Sequence, residues 1–263
     1  MTAELVGVRT SPERAKVGVL EIAALTETDL IDHVGHAWTR GDGGWIVTAN
    51  VDIARAAARR PELAALIGQA DLVIADGMPL VWAARIAGDH LPERVTGSSL
   101  VFSLSAAAAA AGRSVYLLGG EPGVPDAAAD ALTARYPALK VAGAHSPSFG
   151  FERDPGELAE VIEAVRGANP DLVLVGLGFP KQEHLIRRLR EVHPDAWYVG
   201  CGAGIPMAAG EFSRAPERLQ RLGGEWLHRL ALEPKRLARR YFVDDAPFAL
   251  RLLAGAALRR VRG

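Results

Sequence analysis

Residues 45–77, WIVTANVDIARAAARRPELAALIGQADLVIADG, decide the fold. The stretch opens on Trp45-Ile46-Val47 and closes on Leu72-Val73-Ile74-Ala75, two apolar runs without the polar alternation of a strand that has one wet face. Continuous runs of this kind suit parallel strands buried on both sides. Residues 51–59 between them read as helix, so the unit is strand–helix–strand. The same alternation continues outward. Strands are expected at residues 17–22, 45–48, 71–75, 114–118, 139–142, 171–175 and 196–199, and helices at 28–39, 51–59, 79–87, 98–111, 124–136, 156–166 and 181–192. The fold class that follows is α/β, a doubly wound and mostly parallel sheet with helices on both faces.

Beyond Phe212 the strand signals stop. Residues 216–222, 225–232, 234–241 and 247–261 read as consecutive helices, some of them opened by proline, which suits a first helical position. The chain therefore divides into an α/β domain over residues 1–213 and a helical C-terminal appendage over 214–263. Charge divides the same way. The 263 residues carry 30 Lys or Arg against 31 Asp or Glu, a net of −1. Residues 214–263 hold 12 basic and 5 acidic side chains, a net of +7, so residues 1–213 carry −8. A basic tail on an acidic body points to an anionic partner such as phosphate, nucleic acid or lipid headgroups, against the plainer reading of a solvated helical face. The last run, PFALRLLAGAALRRVRG, suits either an interfacial amphipathic helix or one that packs on the domain.

Other classes are disfavoured. A single cysteine, Cys201, allows no internal disulfide and fits a reducing compartment. The first residues, MTAELVGVRTSPERAKVG, lack the apolar run of a signal peptide, and no apolar stretch is long enough to span a bilayer. There is no Cys/His spacing of a zinc site and no GxxxxGK[ST] phosphate loop.

Polar chemistry gathers where strands end, which is where open α/β sheets bind ligands. Thr48-Ala49-Asn50 follows the first run of the opening stretch, and Asp76-Gly77 follows the second. Gly176-Leu177-Gly178-Phe179-Pro180-Lys181-Gln182-Glu183 follows a later strand, with Pro180 near a helix start, where free N–H groups and the helix dipole favour an anion. There Lys181 and Gln182 are donors suited to a diphosphate. Asp76 has two readings: a helix cap ahead of Gly77 and Pro79, or a partly desolvated base. Gly119 and Gly120 form a further strand-to-glycine turn, which taken alone suits close packing. Gly200-Cys201-Gly202-Ala203-Gly204 resembles part of a dinucleotide fingerprint but comes late in the chain and departs from GxGxxG.

Several blocks together resemble the WecG/TagA/CpsF glycosyltransferase family (glycosyltransferase family 26). TANVDIARAAARRPELAALIGQADLVIADGMPLVWAARIAG and LPERVTGSSL are similar to its first signature block. VYLLGGEPGV, NPDLVLVGLGFPKQE, AGEFSRAPERLQRLGGEWLHRL and EPKRLARRYF are similar to its later ones, in the family's order. The resemblance spans residues 16–242. It implies a Rossmann-like core with a helical appendage and inverting transfer of a hexose or N-acetylhexosamine-type sugar. The implied donor is a UDP-sugar and the implied acceptor an undecaprenyl-diphosphate-linked sugar, in cell-surface polysaccharide or teichoic-acid-type synthesis. It implies no cofactor and no metal-binding DxD; Asp244-Asp245 lies in the tail, away from any strand end.

Residue by residue, the resemblance implies that Asp76 is the general base, with Thr48, Asn50, Arg94 and Gln182 in the pocket. Gly178, Lys181, Gly119, Gly120 and Gly202 complete the substrate-binding turns. Arg214, Arg229, Arg236, Arg239 and Arg240 match basic positions associated with diphosphate or membrane contact. The implied partners are thus the donor, the lipid-linked acceptor and an anionic membrane surface at the inner face of the cell membrane, and not nucleic acid. A tail that docks on a neighbouring copy makes a homo-oligomer a candidate assembly. One departure stands out: Ile205 is followed by Pro206, where the family usually carries Asp. Two competing readings remain at this point, an NAD-dependent oxidoreductase built on residues 200–204 and a non-catalytic nucleotide-binding module.

Overall fold

A computed structural model describes residues 12–211, 230–231 and 234–262. In chain order its elements are β1 (Arg14–Val17), β2 (Leu20–Ala23), α1 (Glu27–Arg40), β3 (Gly44–Ala49), α2 (Val51–Arg59), α3 (Pro61–Ile67), β4 (Leu72–Ala75), α4 (Met78–Ala87), α5 (Gly97–Ala110) and β5 (Ser114–Leu118). There follow α6 (Val124–Arg135), β6 (Lys140–His145), α7 (Pro155–Ala168), β7 (Leu172–Val175), α8 (Lys181–Val192), β8 (Trp197–Gly200) and α9 (Gly204–Ala208). In the tail come α10 (Pro234–Ala238), a π-helical stretch (Arg239–Asp245) and α11 (Ala246–Arg262).

Six strands form one sheet in the order β4-β3-β8-β7-β5-β6, every neighbour parallel. Each strand therefore feeds both faces. Trp45, Val47, Val173, Val175 and Tyr198 pack into one apolar layer with α2, α3, α4, α7 and α8. Ile46, Leu172, Leu174, Trp197 and Val199 pack into the other with α1, α5, α6 and α9. Burying one such aliphatic or aromatic side chain contributes about 1.5–3 kcal/mol, which is why apolar runs without alternation read as central strands. At the amino ends of the strands, Asp171 ties the sheet together: it accepts from Arg113 Nη1 at 2.9 Å, from the Ser114 N–H at 2.8 Å and from the Ser114 hydroxyl at 2.9 Å. The carboxyl ends of all six strands lie along the opposite edge.

Residues 17–22, expected as one strand, are a hairpin instead. Gly18 adopts φ +62°, which only glycine takes readily, and the chain reverses through Gly18 and Val19 so that Val17 pairs antiparallel with Leu20. Helix α3, opened by Pro61, is an addition to the sequence reading.

The last helix lies on the domain. Phe248, Leu252, Leu253 and Ala256 of α11 pack against the first apolar layer, and Arg259 pairs with Asp89. The opposite side of α11 presents Leu250, Leu258 and Val261 at 69, 57 and 85% exposure, and Arg251, Arg260 and Arg262 are also exposed on this helix. No described helix is long and apolar enough to cross a membrane.

Candidate active site

The crevice starts at the seam between β3 and β4. Asn50 directly follows β3 and caps α2, its Oδ1 accepting from the Ile53 N–H at 3.0 Å, which leaves the Nδ2 donor unused by the cap. Asp76 directly follows β4, and its N–H donates to the Ala49 carbonyl at 2.8 Å, extending the strand pairing to the crevice floor. Gly77 lies against the same turn: a Cβ there would stand in ordinary contact with the Asn50 Cα, at 3.6 Å. The Asp76 carboxylate does not cap the helix that follows it, since α4 begins behind Gly77 with no side-chain cap. It accepts instead from the Gly97 N–H at 3.2 Å, at the first residue of α5. Half-buried and aimed at a helix amino terminus, it is held in one orientation. Arg94 comes to the same place because the neighbouring Val95 N–H donates to the Ala75 carbonyl at 3.0 Å.

Thr48 sits beneath this seam. It is 6% exposed and its hydroxyl donates to the Gly200 carbonyl at 2.6 Å, locking β3 to β8. Its Oγ1 also lies against α5, 3.1 Å from where a Gly97 Cβ would stand. Thr48 thus shapes the floor, and Asn50 and Asp76 form its rim.

The turns after β5, β7 and β8 make the other half. A Cβ on Gly119 would lie 2.7 Å from the Gly176 carbonyl oxygen, and one on Gly176 would lie 2.8 Å from the Gly202 carbonyl oxygen. The three turns therefore meet backbone to backbone where the strand order reverses. Gly120 is drawn to the loop after β6, its carbonyl accepting from the Ser146 hydroxyl at 2.7 Å. Gly178 and Gly202 have positive φ and open space where a Cβ would be. Pro180 is the N-cap of α8, as the sequence suggests.

The two donors expected there are already engaged. Lys181 pairs with Glu152 at 3.3 Å and lies 5.4 Å from the ring centre of Phe149, which is 99% exposed. Gln182 is 3% exposed; its Oε1 accepts from the Gly178 N–H at 3.1 Å and its Nε2 donates to Glu183 at 2.9 Å.

Of the tail arginines, Arg214 and Arg229 lie outside the described residues, as does the side chain of Arg236. Arg239 is exposed. Arg240 lies over the Tyr241 ring and 3.8 Å from Asp245. Asp245 in turn accepts from Arg55 at 3.1 Å, and Arg55 also pairs with Asp52. This network, absent from the sequence reading, fastens the π-helical stretch to the first turns of α2, the helix that Asn50 caps. Burial first, then the charge of Asp52, raises the Asp245 carboxyl above its ordinary range, against the pull of Arg55 and Arg240.

Two buried groups bear on the chemistry. Burial pushes the Cys201 thiol up to about 12, so it is neither a thiolate nor a nucleophile at neutral pH. Burial also pushes the Glu183 carboxyl from 4.5 up to about 7, only partly opposed by hydrogen bonds from Gln182 and its own backbone. A carboxyl whose folded value lies above its unfolded one contributes stability that is complete below pH 4.5 and is lost as pH rises through 7. Glu183→Gln is therefore expected to gain about 3 kcal/mol over the native chain between pH 4.5 and pH 8. Urea denaturation at both values checks this, and parallel pH curves for the two proteins would contradict it.

Among the described residues no cluster of three or more His, Cys, Asp or Glu could hold a metal. An apolar cavity of about 360 Å³, lined by Val17, Ala83, Phe248 and Leu252 among others, lies between the hairpin and α11. It shares no residue with the strand-end crevice, where the polar chemistry sits.

With this geometry in hand, comparison with known proteins is direct. The profile of the glycosyl transferase WecG/TagA/CpsF family matches residues 15–262. The chain is 31% identical over 217 residues to an N-acetylglucosaminyldiphosphoundecaprenol N-acetyl-beta-D-mannosaminyltransferase of Bacillus spizizenii (strain ATCC 23059 / NRRL B-14472 / W23), covering 81% of this chain and 82% of that one. A protein of the same description from Bacillus subtilis (strain 168) is 30% identical over 213 residues, 81% of each chain. The oxidoreductase and non-catalytic readings fall away: the chain belongs to the WecG/TagA/CpsF family of glycosyltransferases.

Proposed function

We propose that this enzyme transfers an N-acetylhexosamine-type sugar, with inversion, from a UDP-sugar to a sugar carried on a polyprenyl diphosphate at the inner face of the cell membrane. The observation that carries the reading is that Asn50 and Asp76 follow adjacent paired strands at one seam, with the Asp76 carboxylate oriented by the Gly97 N–H at 3.2 Å and the Arg94 backbone next to the Val95 N–H that pairs with Ala75. The description of the Bacillus relatives supports the acceptor class and an N-acetylmannosamine-type transferred sugar.

In this mechanism the acceptor hydroxyl oxygen attacks the anomeric carbon from the face opposite the nucleoside diphosphate. The carbon–oxygen bond to the diphosphate breaks, and the hydroxyl proton passes to Asp76 as general base. Asn50 Nδ2 orients the sugar, and the glycine turns at 119–120, 176–178 and 202 give the donor's diphosphate close access to backbone. Negative charge on the departing diphosphate is offset by arginine, from Arg94 and from the tail residues Arg214, Arg229, Arg236, Arg239 and Arg240. The exposed face of α11 meets the anionic leaflet through Leu250, Leu258 and Val261, flanked by arginine.

The test is a donor screen against a short-chain polyprenyl-diphosphate N-acetylglucosamine acceptor, following release of nucleotide. UDP-N-acetylmannosamine is expected to turn over, and to do so in excess EDTA. Release of nucleotide only from a non-uridine donor, or activity lost to EDTA and restored by magnesium, would overturn the donor or the charge-offset half of the reading respectively.

A further inference from the structure

Glu183 is wholly buried beneath the carboxyl end of β8, in the first turn of α8. Its Oε1 accepts from Gln182 Nε2, while its Oε2 is buried without a hydrogen-bond partner. Space for the pair is left by Gly200: a Cβ there would lie 3.3 Å from Glu183 Oε1 and collide with Gln182 Nε2. On stability alone this is a poor arrangement. An unsatisfied buried polar atom costs about 1–3 kcal/mol, and an apolar side chain of similar volume is often neutral or better in such a place.

What the carboxyl supplies is direction. A glutamine amide fits its cavity in two orientations related by a half-turn, with donor and acceptor exchanged. The observed one sends Nε2 to Glu183 and leaves Oε1 to receive the Gly178 N–H. The flipped one would set an amide N–H against the Gly178 N–H. The Gly178 turn is the middle of the three glycine turns that meet backbone to backbone, so a shift there carries to Gly119 and Gly202.

We propose that Glu183 is a positioning residue, which by accepting from Gln182 fixes the Gln182 amide and through it the shape of the 176–180 turn. This deepens the donor-site reading above and rests on it. It is independent of the base assigned to Asp76.

The experiment compares the native full-length enzyme with Glu183→Leu, Glu183→Gln and Gly200→Ala. The readouts are hydrogen–deuterium exchange of the peptide spanning residues 176–182, melting temperature, and KM and kcat for the UDP-sugar. Loss of one internal hydrogen bond of about 1 kcal/mol corresponds to roughly a five- to tenfold change. Glu183→Leu should melt at or above the native temperature, exchange about tenfold faster at this peptide, and show about a tenfold higher donor KM with a smaller change in kcat. Glu183→Gln keeps a carbonyl acceptor for Gln182 and should restore both exchange and KM. Gly200→Ala leaves the carboxyl in place but pushes on the Gln182 amide, and should reproduce the leucine signature; it decides the matter if Glu183→Leu does not fold. Native exchange and native KM in Glu183→Leu, or in Gly200→Ala where that variant decides, would overturn the proposal. If the native enzyme turns over no UDP-sugar, the donor reading fails, and the exchange data alone decide whether Glu183 positions the turn.

Discussion

Asp76→Asn is expected to lower turnover by roughly 10²–10⁴-fold, the usual cost of losing a general base. Its melting temperature and its affinity for UDP should stay close to native. The substitution is nearly isosteric, and the asparagine Oδ1 can still accept from the Gly97 N–H that the carboxylate receives at 3.2 Å. What it cannot do at neutral pH is take up the acceptor's proton. A structural role would look different: loss of a helix-terminal hydrogen bond costs about 1 kcal/mol of stability, and activity would then follow the folded fraction. Since α4 has no side-chain cap, the helix-terminal hydrogen bond at stake is the one from the α5 amino terminus. Turnover within a few-fold of native, or a loss that tracks unfolding, would move the base to another group on the rim. Measuring initial rates and thermal melts on the same preparation separates the outcomes.

The second large effect is expected at the membrane. Arg251→Gln/Arg260→Gln/Arg262→Gln removes three charges from exposed positions of α11, where the helix also exposes Leu250, Leu258 and Val261. Each basic residue near an anionic leaflet contributes about 1 kcal/mol, so the triple variant should partition onto vesicles containing phosphatidylglycerol roughly 100-fold more weakly. Raised salt should weaken binding of the native protein in the same direction, because such attraction is screened over about 8 Å at physiological ionic strength. Point substitution is the right probe here, since truncation would strip Phe248, Leu252 and Leu253 from the apolar layer they help cover. Vesicle binding unchanged by the triple variant and by salt would leave the tail's net charge of +7 without a membrane role.

The alternation of apolar strands and helices is a local property, and it carried most of the fold. Each strand expected at residues 45–48, 71–75, 114–118, 171–175 and 196–199 is present within a residue at its ends, and the one expected at 139–142 runs on to His145. The first strand failed on one residue: Gly18 adopts φ +62°, and an apolar run interrupted by glycine became a hairpin. The strand-end polar residues were legible too, because carboxyl ends of parallel strands are where such residues have a reason to sit. Glu183 closes the strand-end motif at residues 176–183, and nothing in the sequence around it assigns it a role. The signal was present: a carboxylate in the first turn of a helix is usually a solvated partner of the dipole, and only tertiary burial makes this one costly.

The sequence by itself determined the class of fold, the edge of the sheet where the polar strand-end residues gather, and the division of charge between body and tail. These depend on side-chain period and on residue type at strand ends, which neighbouring residues suffice to reveal. Only the tertiary structure decided which polar groups are spent and which remain for a substrate. Thr48 is consumed by the Gly200 carbonyl, Gln182 by Gly178 and Glu183, and Lys181 by Glu152, each across a contact whose partner is set by packing. The same holds for the order β4-β3-β8-β7-β5-β6, which brings strands 153 residues apart in sequence into register, as with Ile46 and Val199. Hydrogen-bond capacity belongs to a residue, but its use depends on what the fold places within about 3 Å.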